Sequence, residues 1–252
     1  TRLLAARAAG TMPIMTKTLR AAVIGVGSLG RYHAQKYAAL AGVELYGVAD
    51  LDLTRAKGVA RDLGCRAVDD VTELLPHVDM VSVVVPTETH FEAAQACLEA
   101  GVHVLVEKPI TRTLEEADAL IECAARRALT LAVGHLERFN PAFIDLYGML
   151  DRPFFMEAER LGGFKGRGTD VDVVLDLMIH DIDLMLAVMP SEVVSVSACG
   201  FQVLTDLVDI ANARFEFADG AVADLSASRV SRTPVRNTPL PRAWSPYFES
   251  TV

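Results

Sequence analysis

The sequence predicts two successive layers of α/β structure: a doubly wound parallel sheet, then an α+β domain with a large, mostly antiparallel open sheet that is incomplete in this chain. Three observations predict it. Up to Gly134, apolar strands rich in β-branched residues alternate with helix-length segments, the pattern of parallel βαβ units. After Gly134 the strands alternate apolar and polar residues, as a sheet covered on one face requires. Between two of these later strands, Asp219-Gly220 is a hairpin turn signal.

The elements follow in order. Residues 21–26 are a short apolar run ending in glycines, and 29–40 continue as a helix. Residues 43–50 form the next strand and 53–63 the next helix. Residues 80–85 are almost all β-branched, so they read as a strand buried on both faces. Thr89 caps a helix through residue 100, and Gly101 ends it. Residues 102–106 are another buried strand. Thr113 and Glu116 have capping-box spacing and open a helix to residue 128. Residues 129–134 close the first sheet. Asn140 and Pro141 then read as the cap and first position of a helix to residue 150. A strand at 154–161, a glycine-rich loop at 162–168 and a helix over 173–189 follow. Three strands come last, at 193–201, 208–217 and 221–229. The third has no successor, so it is expected to leave an open edge. Four of the eleven prolines lie beyond Ser231, where neither period persists. The domains are therefore drawn at 19–136 and 137–230. Residues 1–18 form a non-native-looking or disordered extension, and 231–252 an irregular tail.

Composition removes several functions. A formal charge of −9 argues against nucleic acid, which needs a basic face to neutralise phosphates. No apolar run reaches the roughly 18–20 residues of a membrane span. Cys65, Cys97, Cys123 and Cys199 are dispersed without a CxxC pair, which fits reduced thiols in a cytoplasmic protein and supports no metal site.

Gly25-Val-Gly27-Ser28-Leu29-Gly30 follows a strand and opens a helix, the setting of a dinucleotide-binding Rossmann fingerprint. Gly25 permits the tight turn, Gly27 lets the backbone approach a pyrophosphate, and Gly30 lets helix and strand pack. Asp50 lies twenty residues past Gly30 at the end of the second strand, where a carboxylate accepts from an adenosine ribose hydroxyl. That carboxylate would repel a 2′-phosphate, so NAD is expected over NADP. A glycine-rich turn beside a surface Asp is the bland alternative.

Glu107-Lys108-Pro109 follows a buried strand, where a parallel sheet opens on its ligand crevice. Lys108 there can hold a substrate hydroxyl or remain an ordinary exposed lysine. Asp176 and His180 lie four apart on one helix, so they share a face. Oxidising an alcohol needs a base for the hydroxyl proton, which histidine can be. A solvated face is the alternative, and no third residue is spaced to complete a metal site.

Taken together these motifs resemble the glucose–fructose oxidoreductase / inositol dehydrogenase / rhizopine-catabolism (Gfo/Idh/MocA) family over residues 19–229. The carriers are Gly25–Gly30, Val85-Pro86-Thr87 with His90, Glu107-Lys108-Pro109, Gly134-His135 with Arg138-Phe139-Asn140-Pro141, and Asp176 with His180 in an HDID run. The resemblance implies NAD contacts near Pro86, Thr87, His90 and Glu107. It also implies a catalytic group of Lys108, Asp176 and His180, with His180 taking the proton and Lys108 either binding the reacting oxygen or serving as the base. Arg138 and Asn140 would line the substrate side, although Asn140 is equally well explained as a helix cap.

Residues 160–172, the LMIHDIDLML helix and the GHLERFNPAF stretch look most like members acting on nucleotide-activated amino sugars, with oxidation at C3 of UDP-N-acetylglucosamine the implied reaction. Lys165 and Arg167 would meet the diphosphate, or else stay solvated on their loop. A homo-oligomer with a small sugar or UDP-sugar substrate is implied. Two alternatives stay open: a dinucleotide- and sugar-sensing regulator without turnover, and an enzyme using tightly held NAD for other chemistry. The resemblance stops after Ser231-Arg232, as in a truncated or frame-shifted chain. Such a chain is expected to bind NAD, turn over weakly or not at all, and self-associate heterogeneously through its open edge.

Overall fold

A computed structural model describes residues 17–147, 149–150, 153–164 and 171–237. Contacts divide the chain into two compact units between Gly134 and His135.

The first unit carries β1 (Leu19–Ile24), α1 (Ser28–Ala39), β2 (Val43–Ala49), α2 (Leu53–Leu63), β3 (Arg66–Val68), β4 (Met80–Val83), α3 (His90–Glu99), β5 (His103–Val106), α4 (Leu114–Arg126) and β6 (Leu131–Val133). All six strands run parallel, in the order β3-β2-β1-β4-β5-β6. The order reverses at β1, so the crevice beyond the carboxyl ends of β1 and β4 is the place for a ligand. Ala22 and Ile24 of β1 pack with Val81, Val83, Leu98 and Leu120 on one face. Val23 packs with Ala34, Val48, Ala56 and Val59 on the other. Both faces are covered, which is why the strands read as continuous apolar runs.

Local chemistry sets the helix ends. The Asp52 carboxylate accepts from the Thr54 and Arg55 N–H groups to start α2, and Gly64 at φ 71° ends it. Thr113 accepts from Glu116 N–H, while Glu116 reaches back to the N–H of Arg112 rather than that of Thr113 itself. The expected cap at Thr89 is not made. A 3₁₀ turn over Thr87–Thr89 precedes α3, and the Thr89 hydroxyl donates back to the Pro86 carbonyl at 2.9 Å.

The second unit carries α5 (Pro141–Tyr147), β7 (Phe155–Leu161), a π-helical turn (Val174–Met178), α6 (Ile179–Val188), β8 (Val193–Phe201), β9 (Ile210–Phe217), β10 (Val222–Ser228) and β11 (Val235–Asn237). The sheet order is β11-β7-β10-β9-β8, antiparallel except for the β7–β10 pair. Met156, Ala158, Phe215, Phe217 and Leu225 of the sheet form one core with Met178 and Met185. Asn212 and Ser226, and Arg214 and Asp224, pair across β9 and β10 on the residues that alternate with these.

Two expectations are overturned here. The strand at 221–229 is not an edge: β10 is paired on both sides, by β7 and β9. The tail is not irregular from residue 231, because Val235–Asn237 pairs with Leu161, Arg160 and Glu159 of β7. Non-local pairing supplies both strands' partners, and no local period reports that.

Candidate active site

In the first unit the glycines behave as their motif positions demand. Gly25 has φ +81°, and a Cβ there would stand 2.5 Å from the Val84 carbonyl oxygen. A Cβ on Gly30 would lie 1.8 Å from the Gly25 oxygen, so the close contact of β1 and α1 forbids any side chain. Around a Cβ on Gly27 there is nothing within 4 Å. The sterics therefore protect the fold at Gly25 and Gly30 but leave open space at Gly27, as an approaching pyrophosphate requires. Ser28 begins α1, whose first-turn N–H groups favour an anion, and the Leu29 side chain is exposed beside it.

A cleft of about 790 Å³ opens next to this loop. Gly25, Gly27, Asp50, Arg55, Val85 and Pro86 contribute to its walls. Asp50 is 9% exposed and its carboxylate is already well held. Oδ2 accepts from Val26 N–H and Oδ1 from Asp52 N–H, both at 2.9 Å. Arg55 Nη1 lies 3.1 Å from Oδ1 and 3.2 Å from Oδ2. The Val26 bond ties the glycine loop to the end of β2, so Asp50 shapes the cradle as well as facing it. Sequence reasoning missed Arg55, whose signal was its place in the first turn of α2 after the Asp52 cap. These residues fit a bound dinucleotide.

The loop after β4 places Pro86 on the cleft and buries Thr87. His90, expected to touch the cofactor, does something else. It is 1% exposed, and its ring spans the carbonyl oxygens of Pro109 (Nδ1, 2.8 Å) and Val85 (Nε2, 3.0 Å). His90 thus ties the loop carrying Pro86 and Thr87 to the one carrying Lys108, a structural role on both ring nitrogens. Glu107 is also buried. Its Oε2 accepts from Lys108 N–H at 3.3 Å, and its Oε1 lies 3.1 Å from His33 Nε2. Lys108 is half-buried at the end of β5.

In the second unit Asp172 opens the helical segment that carries Asp176 and His180 by accepting from Val174 and Leu175 N–H. Asp176 falls in the π turn and His180 in the first turn of α6, both half-buried, with His180 Nδ1 buried. π turns are frequent at functional sites. The next two acids of the HDID run are structural. Arg160 forks onto Asp181 at 2.8 and 2.7 Å, and Arg138 onto Asp183 at 2.7 and 2.6 Å. Glu137 lies 3.9 Å from Arg160 and also contacts Arg236 of β11. Arg138, expected on the substrate side, therefore has its fork committed to Asp183. Asn140 Oδ1 accepts from Ala142 N–H, so the capping explanation is the observed one. Lys165 and Arg167 lie outside the described residues. Among the described residues no cluster of three His, Cys, Asp or Glu side chains could hold a metal ion, and no helix is long and apolar enough to cross a membrane.

The chain matches known proteins along both units. The family described as "Oxidoreductase family, NAD-binding Rossmann fold" matches residues 19–135, and the "GFO/IDH/MocA C-terminal domain" matches residues 155–239. The second match runs past Ser231-Arg232, where the resemblance had been expected to stop. The UDP-N-acetylglucosamine 3-dehydrogenase of Acidithiobacillus ferrooxidans is 51% identical over 219 residues, covering 86% of this chain and 69% of the relative. A solved structure of that enzyme superposes with a TM-score of 0.83 at 48% identity, over 89% of this chain and 74% of the other. The scyllo-inositol 2-dehydrogenase (NAD(+)) of Bacillus subtilis is 34% identical over 236 residues, covering 86% of this chain and 69% of the relative.

Proposed function

The chain belongs to the GFO/IDH/MocA oxidoreductase family, and on that premise we propose that it is an NAD-dependent dehydrogenase of the 3-hydroxyl of UDP-N-acetylglucosamine. The observation that carries the dinucleotide part is the open volume at Gly27 between two glycines that packing forbids to change. The substrate rests on the 51% identity with a UDP-N-acetylglucosamine 3-dehydrogenase.

Bound NAD would supply the hydride acceptor. The backbone at Gly27 and the first turn of α1 would hold its pyrophosphate. Asp50, beside Arg55, would accept from the adenosine ribose hydroxyls. Lys108 donates a hydrogen bond from Nζ to the reacting oxygen, favouring the alkoxide character that grows as the carbon loses its hydride. His180 takes the hydroxyl proton at Nε2, its Nδ1 being the buried nitrogen. Asp176, on the preceding turn, orients that imidazole or binds a neighbouring hydroxyl.

The test is NADH formation on UDP-N-acetylglucosamine beside UDP-glucose, free N-acetylglucosamine, myo-inositol and scyllo-inositol. The UDP-amino sugar is expected to be fastest, and borodeuteride reduction of the product should place deuterium at C3. Preferred turnover of an inositol or a free hexose overturns the substrate assignment.

A further inference from the structure

We propose that His33 is a positioning residue for this reaction, fixing the Glu107 carboxylate beside Lys108 through a chain of hydrogen bonds that begins at Tyr37. The inference rests on the reading of Lys108 as the group that binds the reacting oxygen.

Three elements of the first unit build the chain. His33 and Tyr37 lie on α1, Ser82 on β4, and Glu107 at the end of β5. Tyr37 OH is 2.8 Å from Ser82 Oγ, Ser82 Oγ is 3.1 Å from His33 Nδ1, and His33 Nε2 is 3.1 Å from Glu107 Oε1. Ser82 is 0% exposed and Glu107 6%. Separations of 45 to 74 residues along the chain rule out a local capping or turn explanation.

The donors can be ordered. An ionised Glu107 only accepts, so His33 Nε2 must carry a hydrogen. A neutral imidazole then accepts at Nδ1, so the Ser82 hydroxyl donates there and the Tyr37 hydroxyl donates to Ser82. Burial pushes the Tyr37 phenol up, against the opposing effect of its bond to Ser82, so it keeps the proton it donates. Every member then has one donor or acceptor assignment and none conflicts.

Glu107 is fixed from the other side as well. A Cβ on Gly134 would lie 2.6 Å from Glu107 Oε1, so the carboxylate occupies volume that any other residue would claim. Its Oε2 accepts the N–H of Lys108. Rotating the carboxylate would leave a buried charge short of partners, which is costly. His33 therefore acts on Lys108 through the Glu107–Lys108 peptide. The sequence had marked Glu107 as a cofactor contact, and it held no signal for His33.

Two measurements test this. In cofactor-free protein with ¹⁵N-labelled imidazoles, the His33 resonances, assigned by their loss in His33→Gln, should show the Nε2–H tautomer near neutral pH. Glu107→Gln should release that preference, since an amide both donates and accepts. An Nδ1–H tautomer in the parent protein overturns the proposal. In turnover, His33→Ala should lower kcat by about tenfold while NAD affinity by calorimetry changes by less than about threefold. His33→Gln, whose amide N–H can reach Glu107, should recover most of the loss. Adding His33→Ala to Glu107→Gln should cost little more, because both act through one contact. Additive losses, or no rescue by Gln, overturn it. If the parent protein oxidises none of the UDP-sugars, free hexoses and inositols, the dehydrogenase reading fails while the tautomer still decides the arrangement at His33.

Discussion

Arg55 lies across Asp50, with one guanidinium nitrogen within 3.2 Å of both carboxylate oxygens. The two charges pull in opposite directions on cofactor choice: Asp50 repels a 2′-phosphate and Arg55 attracts one. They differ in freedom. Asp50 is buried and held by the Val26 and Asp52 N–H groups, whereas the Arg55 side chain is 50% exposed and can swing away. The fixed charge should decide. NAD is expected to bind about tenfold tighter than NADP, a difference of about 1.4 kcal/mol. Titration calorimetry should show Asp50→Ser narrowing the gap and Arg55→Ala widening it. Equal affinities in the parent protein would contradict the assignment.

The glycines of the loop should separate folding from binding. Gly27→Ala meets no protein atom within 4 Å, so the variant should fold and unfold like the parent and lose NAD affinity by about tenfold or more. Gly30→Ala drives a methyl to 1.8 Å from the Gly25 oxygen, which no rotamer relieves. It should lower the unfolding midpoint or abolish soluble protein. A Gly27→Ala variant with parent-like NAD affinity would mean that the pyrophosphate lies elsewhere.

Replacing the proposed base should act on chemistry rather than on cofactor binding. His180→Ala is expected to lower kcat by roughly 10²–10⁴-fold with NAD affinity nearly unchanged. Lys108→Ala should damage both kcat and the sugar KM, because Nζ is assigned to the substrate oxygen. Retention of most turnover by His180→Ala would move the base role to Lys108 or a water.

The parts of this protein that depend on neighbours in sequence were legible. The glycine spacing, the Asp50 offset and the Asp219-Gly220 hairpin all follow from local geometry, whereas the π turn that holds Asp176 just before α6 left no signal in the period. Thr89 misled because a 3₁₀ turn, rather than an extended residue, leads into α3 and spends its hydroxyl on Pro86. β3 and β11 have three residues each, too few for a period to register. The cap at Asn140 was legible from the proline that follows it, while the partners of His90 and Arg138, the Pro109 carbonyl and Asp183, were not. A side chain's type shows what it can bind, but only the fold shows which partner reaches it first.

Acid should loosen the second unit through Asp209. This residue is 0% exposed, and its Oδ2 accepts from the N–H groups of Val203, Leu204 and Thr205. Oδ1 accepts from the Thr205 hydroxyl and from Arg229 Nε, and Arg229 also donates to the Val171 and Val208 carbonyls. Burial pushes the Asp209 carboxyl up, but the Leu204, Thr205 and Val203 N–H groups and the Thr205 hydroxyl outweigh it and hold it well below the usual range. The folded chain thus releases this proton more readily than the unfolded chain, whose Asp titrates near about 3.9. Its contribution is whole above that value and is lost as pH falls below it toward the folded value. Urea midpoints should therefore hold steady from neutral pH down to about 5 and then drop. Asp209→Asn should have a lower midpoint at neutral pH, since a neutral amide cannot replace an acceptor of five hydrogens, and a shallower acid limb. Proteolysis of the variant should begin within residues 202–208, the loop that Asp209 gathers. Parallel acid limbs in the two proteins would assign the acid sensitivity to other groups than Asp209.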